Sequence, residues 1–118
     1  MALSAEAEPA RLKAKLRVQA ALRACAVKGL AATVVRHGDD DAGVILVKQN
    51  LMGAGFRMLT QVRDPEGRRA WMAGTGAEPV DEKAADAYIA RQVDRDSDLW
   101  VIEIEDAAGW LPFDEKVI

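Results

Sequence analysis

The chain has 118 residues, half of them hydrophobic but only 5% aromatic, with a formal net charge of -3. That length suits one domain, residues 1–118, burying roughly 65% of the surface its unfolded form exposes without needing a disulfide or metal staple. The lone Cys25 excludes an internal disulfide, and no apolar run nears the roughly 20 residues of a bilayer span. Met1 to Pro9 carries Glu6 and Glu8 in place of the basic and apolar parts of a secretory signal, so a cytoplasmic address with no membrane partner is expected.

In chain order, the first element is read two ways. Arg11, Lys13, Lys15 and Arg17 alternate with Leu12, Ala14, Leu16 and Val18, which suits a strand with one basic face. Val18, Leu22, Cys25 and Ala26 instead follow helical spacing, and Gly29 stands where a left-handed C-terminal cap belongs. One helix from Pro9 or Ala10 to Lys28 is the preferred expectation, and a short strand leading into a helix is the alternative.

After Gly29 the pattern becomes β-like. Ala32 to Arg36 and Gly43 to Lys48 are rich in β-branched residues and flank Arg36-His37-Gly38-Asp39-Asp40-Asp41-Ala42-Gly43, which predicts a hairpin with a loop of about five residues. Phe56 to Val62 predicts a third strand. Asp64-Pro65-Glu66-Gly67 is a turn with Pro where φ is pre-set and Gly where φ is positive, returning into a fourth strand over Arg68 to Met72. Gly74 to Glu78 reads as a loop. Asp81 offers an N-cap to a second helix with a stripe of Ala84, Ala87, Tyr88 and Arg91, ending near Gln92. Leu99 to Ile104 is mostly apolar and predicts a central, buried last strand. Residues 1–9 and 107–118 are expected as less ordered tails.

The order α-β-β-β-β-α-β predicts an α+β two-layer sandwich: a mostly antiparallel or mixed sheet of four to five strands with two helices on one face. A last strand entering after a helical crossover can lie parallel to one neighbour.

The charge is unevenly distributed. Met1 to His37 holds seven basic residues against Glu6 and Glu8, whereas Gly38 to Ile118 holds nine basic and seventeen acidic residues. A basic first helix could serve nucleic acid, but Arg11, Lys13, Lys15, Arg17 and Lys28 spread around its axis and aromatic stacking residues are scarce, which argues against that partner.

Three adjacent aspartates, Asp39, Asp40 and Asp41, repel one another, and a divalent cation would relieve the repulsion. Adjacent carboxylates are poor ligands for one ion, however, so a solvated turn is the preferred reading. Asp94-Arg95-Asp96-Ser97-Asp98 has calcium-loop spacing with Glu105 at the twelfth position, but Leu99 occupies the glycine position and a strand follows. His37 has no second histidine and Cys25 lies mid-helix, so neither a transition-metal site nor a Cys-His nucleophile pair is expected. Gly53-Ala54-Gly55 lacks the remainder of a phosphate-loop motif and reads as a turn. No metal and no cofactor is predicted. The candidate binding residues are Arg36, His37, Asp39, Asp41, Arg69 and Trp71. For Trp71, as for Trp100 and Trp110, filling the core is the stronger expectation.

Three ordered motifs carry a resemblance. Arg36-His37-Gly38-Asp39-Asp40-Asp41-Ala42-Gly43, Asp64-Pro65-Glu66-Gly67-Arg68-Arg69-Ala70-Trp71 and Asp98-Leu99-Trp100-Val101-Ile102-Glu103 are similar to those of a bacterial family known as domain of unknown function 1491, over about Arg11 to Asp106. The family pattern has proline where this chain has Ser97. The resemblance implies a short, soluble, cytoplasmic, single-domain protein and brings no activity, cofactor or catalytic residue with it. The function expected is that of a non-enzymatic binding or protein-interaction module, working through a protein partner or as a homodimer joined at an exposed sheet edge. The alternatives are a small metal- or anion-dependent enzyme with its polar site at the Arg36–Gly43 hairpin, and a nucleic-acid-associated protein using the basic first element.

Overall fold

The structure, a computed structural model, describes residues 13–118. The expected tail at 1–9, the helix start at Pro9 or Ala10 and the basic Arg11 lie outside the described residues.

Helix α1 spans Ala14–Val27 and buries Ala14, Val18, Ala21 and Cys25, so Lys15 and Arg17 of the basic alternation are wound into a helix. It ends as its glycine predicts. Gly29 takes φ +74°, its N–H donates to the Ala26 carbonyl at 3.0 Å, and the Leu30 N–H donates to the Cys25 carbonyl at 2.9 Å. These are the two bonds of a Schellman cap.

Five strands follow in a single mixed sheet: β1 (Ala31–Arg36), β2 (Ile45–Asn50), β3 (Phe56–Arg63), β4 (Arg69–Ala73) and, after helix α2 (Glu82–Arg95), β5 (Trp100–Glu105). The element order is the one expected. The spatial order is β1-β5-β2-β3-β4, with β5 antiparallel to β1 and parallel to β2. The predicted hairpin between the first two strands is therefore not formed, because β5 lies between them. β5 is apolar on both faces, and an interior position satisfies it better than an edge would. β1 alternates exposed and half-buried residues and carries a bulge between Val34 and Arg36, which suits the edge.

The helices also divide between the faces of the sheet, where the sequence reading put both on one. Ile45, Val47, Leu59, Trp71, Trp100, Ile102 and Ile104 pack with α1, whereas Leu46, Met58, Leu99 and Val101 pack with Ala85, Tyr88 and Ile89 of α2. Successive strand residues face opposite ways, so strands apolar at consecutive positions need cover on both sides. The Asp81 carboxylate caps α2 by accepting the Ala84 N–H at 2.8 Å. The buried stripe of α2 is Ala85, Tyr88, Ile89 and Val93, one residue away from the predicted one, and Ala84 and Ala87 are exposed. Alanine fits either face, and Ile89 and Val93 decide.

The segment after β5, expected as a loose tail, is packed. Trp110, Leu111 and Phe113 join the core on the α1 side. The Trp71 N–H donates to the Lys116 carbonyl and the Ile118 N–H to the Trp71 carbonyl, each at 2.8 Å, so the last residues cover the outer edge of β4.

Among the described residues, two charged ones are buried within this frame, Lys48 and Asp64. Lys48 of β2, its side chain 5% exposed, holds Nζ at 2.9 Å from Glu82, 2.8 Å from Asp86 and 3.8 Å from Glu103, tying α2 to the sheet. Burial alone would lower its pKa, but the hydrogen bonds to Asp86 and Glu82 and the charge of Glu103 outweigh that and hold it above the ordinary lysine value. Its contribution is thus complete below about pH 10.4 and lost as pH rises through the raised folded-state value. Lys48→Ala leaves three carboxylates facing one another, two of them more than half exposed, and is expected to cost about 1–2 kcal/mol in urea unfolding at pH 7.

Asp64 closes the predicted turn. Its Oδ1 accepts the N–H groups of Glu66 and Arg68 at 2.9 and 2.8 Å, and Lys116 Nζ stands 3.2 Å from its Oδ2. The Arg68 amide bond is the main cause holding the carboxyl below its ordinary value, ahead of Lys116. A depressed carboxyl stabilises the fold above its unfolded pKa and ceases to do so as pH falls through the lower folded value. Melting temperatures followed from pH 5 to pH 2 are expected to fall less steeply for Asp64→Asn than for the native chain.

Candidate functional site

The Arg36–Gly43 segment crosses over the start of β5. Arg36 Nη1 donates to the carbonyls of Ser97 and Leu99 at 3.0 and 3.1 Å. The Asp39 N–H donates to the Asp98 carbonyl at 3.0 Å, and Trp100 Nε1 donates to the Asp39 carbonyl at 2.7 Å. His37 lies against the Trp100 ring with centroids 4.1 Å apart, and its Nε2 is 2.7 Å from Asp40 Oδ1.

The three aspartates have separate tasks. Asp39 Oδ2 accepts the N–H groups of Asp41 and Ala42 at 3.0 and 2.8 Å, fixing the turn in the manner of an Asx loop. Asp40 pairs with His37, and Asp41 lies 3.5 Å from Lys13 Nζ. The carbonyls of Asp40 and Asp41 also accept the N–H groups of Lys15 and Ala14, at 2.9 and 3.2 Å, serving the start of α1 where Lys13 supplies no side-chain cap. The carboxylates diverge, and among the described residues no group of three or more His, Cys, Asp or Glu side chains is placed to hold a metal ion.

Other sequence candidates are separated as well. The Asp94–Asp98 set is divided between the last turn of α2 and an Asx turn in which Asp96 Oδ1 accepts the Asp98 N–H at 2.9 Å. Cys25 is fully buried in the core, and burial, then the charge of Asp106, raise its thiol pKa, which keeps it a protonated packing group. Trp71 is 0% exposed, stacks on Phe113 at 4.8 Å and donates from Nε1 to Glu115 Oε1 at 3.1 Å.

Of the six candidates, Asp41 and Arg69 are brought together, on the wall of a cavity of about 360 Å³. It lies between the first turn of α1 (Lys13, Ala14, Arg17), the end of the acidic segment (Asp41 to Val44), and β3 and β4 (Gln61, Val62, Arg63, Arg69). Lys13 and Arg17 share a helix side by their four-residue spacing. The Arg17 side chain is 11% exposed and donates from Nη2 to Glu115 Oε1 at 3.1 Å. Burial is the main cause lowering its pKa, Glu115 opposes it, and the nearby charge of Arg69 lowers it further. Arg63 Nη1 donates to the Gly67 carbonyl at 2.8 Å. The Arg69 guanidinium has no hydrogen bond or ion pair among the described residues. Gln61 Oε1 is committed to the Ile45 N–H at 2.8 Å, which leaves its amide nitrogen without a hydrogen-bond partner among the described residues.

The wall therefore offers mostly donors, with two guanidiniums close enough to repel. Sequence reasoning found Arg69 and Asp41, read Arg17 only as part of the basic first element, and passed over Gln61, Arg63 and Glu115. Their signal, single polar residues within otherwise structural runs, is too common to single them out.

Comparison with known proteins accords with this fold. A family model described as a protein of unknown function (DUF1491) matches residues 12–114. A crystal structure of a DUF1491 family protein from Caulobacter crescentus CB15 has a TM-score of 0.81 and 34% identity, covering 92% of this chain and 100% of that one. An NMR structure of a DUF1491 family protein from the same organism gives 0.78 and 34%, covering 91% and 96%. The solution structure of protein Atu0922 from A. tumefaciens gives 0.72 and 26%, covering 89% and 96%. No curated protein matches the chain.

Proposed function

The chain belongs to the DUF1491 family of proteins of unknown function, and on that footing we propose that it is a non-enzymatic cytoplasmic binding module that takes an anionic group into the groove between α1 and the β3–β4 pair. One observation carries the reading: Arg17, largely buried, stands beside an Arg69 that has no counter-charge among the described residues. Two like charges held together destabilise the empty protein, and an anion between them reverses that term. The groove's volume is within the range of small-ligand sites.

The alternative of an enzyme centred on Arg36–Gly43 has weaker support, because Arg36 and Asp39 are spent on backbone groups of the fold. A nucleic-acid role for α1 has little support too, since Arg17 faces the groove and Lys28 Nζ sits 4.4 Å from the Trp110 ring centroid. Self-association through β1 is a second reading, favoured by one observation: β4 is covered by Lys116 to Ile118, whereas β1 has a strand on one side only among the described residues. It predicts a concentration-dependent dimer in sedimentation, and a monomer at all concentrations would remove it.

Thermal unfolding tests the groove. Sulfate, phosphate and citrate, compared with chloride at matched ionic strength, are expected to raise the melting temperature. At ten times Kd the stabilisation is about 1.4 kcal/mol, or several degrees for a chain of this size. An equal rise in an Arg17→Gln, Arg69→Gln double variant would show that the anions act elsewhere.

A further inference from the structure

We propose that the anion is a phosphate monoester carried on a small uncharged organic body; this rests on the anion reading above and narrows it. Apart from the Asp41 carboxylate, which lies 3.5 Å from Lys13 Nζ, the free side-chain hydrogen-bonding capacity of the groove is that of donors. Arg69 has its whole guanidinium fork uncommitted among the described residues, Arg17 has spent one N–H on Glu115, and Gln61 has its amide donors left once Ile45 has taken its oxygen. A guanidinium carries five N–H donors in a fixed plane, so this wall has more donors than the two oxygens of a carboxylate would use. A phosphate monoester brings three strong acceptor oxygens and nearly two charges at neutral pH, and two arginine forks suit it.

A wall rich in donors favours the dianion over the monoanion, whose remaining O–H would face N–H groups. Glu115 already supplies Arg17 with one carboxylate, and Asp41 supplies Lys13. With those carboxylates in place, Arg69 still acts on Arg17 to lower its pKa. The groove is also only partly polar. Ala14, Ala42, Val44 and Val62 form the rest of its wall, a surface for an organic body next to the phosphate.

The ligand's own titration gives the test a distinctive readout. The second pKa of a phosphate monoester is about 6, so a site requiring the dianion loses affinity as pH falls through that value. Among the described residues, the charged groups around the site are Lys13, Arg17 of α1, Asp41, Arg63 of β3, Arg69 of β4 and Glu115. Sulfate keeps its two charges over the same range and therefore reports any titration of these groups.

Calorimetric titrations of the full chain with glycerol 3-phosphate, inorganic phosphate, sulfate and succinate decide the matter. Glycerol 3-phosphate is expected to bind at least ten-fold more tightly than succinate at pH 7.5. Its affinity should fall at least three-fold by pH 5.5 while that of sulfate stays level. Arg69→Gln should weaken it ten-fold or more, and Lys83→Gln on α2 should leave it unchanged. Succinate binding as tightly as glycerol 3-phosphate, or a phosphate affinity indifferent to pH, would overturn the phosphate assignment while leaving an anion groove. Equal weakening by both substitutions, or no heat with any of the four anions from a folded chain, would overturn the groove itself.

Discussion

Gly38→Ala and Gly43→Ala are each expected to destabilise the protein by about 3 kcal/mol, a large share of a small domain's stability. A methyl group on Gly38 would lie 2.6 Å from both the Leu99 carbonyl carbon and Trp100 Cδ1, and closer still to the Asp98 carbonyl oxygen. On Gly43 it would meet the same oxygen at 2.5 Å, Trp100 Cδ1 at 2.7 Å and the Asp39 carbonyl oxygen at 2.9 Å. Backbone and a buried indole cannot step aside as an exposed side chain would. Both glycines therefore let the acidic segment lie directly on the start of β5, and the Asp98 and Trp100 hydrogen bonds lock it there. Gly29→Ala calibrates the effect. That glycine has positive φ and open space around it, so its substitution should cost only about 1 kcal/mol. Urea unfolding of the three variants gives the comparison, and a loss at Gly38 and Gly43 no greater than at Gly29 would show that the segment is not clamped as described.

The second large effect separates stability from binding. Arg69→Gln is expected to reduce anion affinity ten-fold or more, since charge-assisted hydrogen bonds contribute about 1.5–3 kcal/mol each. The same change removes the charge that disfavours protonated Arg17, so the unliganded protein should be at least as stable as the native chain. Glu115→Gln is its counterpart. The amide oxygen can still accept from Trp71 Nε1, but the charge competing for Arg17 is gone, and anions should bind more tightly. A structural role for Arg69 predicts the opposite pairing, with stability lost and anion affinity unchanged. Unfolding curves with and without sulfate measure both quantities on one sample.

The local chemistry of the fold was legible in the sequence, and its long-range pairing was not. The Gly29 cap, the Asp64–Gly67 turn and the Asp81 cap depend on a few adjacent residues with distinctive backbone preferences, and each forms where predicted. The β1–β2 hairpin failed because adjacency in the chain favours pairing neighbours, whereas β5 competes for the space between them. A stronger clue was present: Trp100 to Ile104 is apolar on both faces, while Ala31 to Arg36 is small and alternating, which marks an interior strand and an edge. Placing both helices on one face failed for a related reason. Ile45, Leu46 and Val47 need cover on two sides, and a second layer can supply only one.

The candidate site was less legible. The histidine and aspartates attracted attention as a cluster, and the structure spends them on a loop that crosses β5 and serves the first amides of α1. The cavity draws its cations from α1 and from β3 and β4, which lie about 46 or more residues further along the chain, and the partner of Arg17, Glu115, comes from a stretch without any pattern. Only tertiary structure brings those residues together.

The most direct test of the account is a two-dimensional amide NMR titration of the native chain with inorganic phosphate at constant ionic strength. Saturable shifts confined to the amides around Lys13 to Arg17, Ala42 to Val44, Gln61 to Arg63 and Arg69 are expected, and in Arg69→Gln they should need at least ten-fold more phosphate. Saturable shifts centred instead on His37 and Ser97 to Leu99, or on α2, would contradict it.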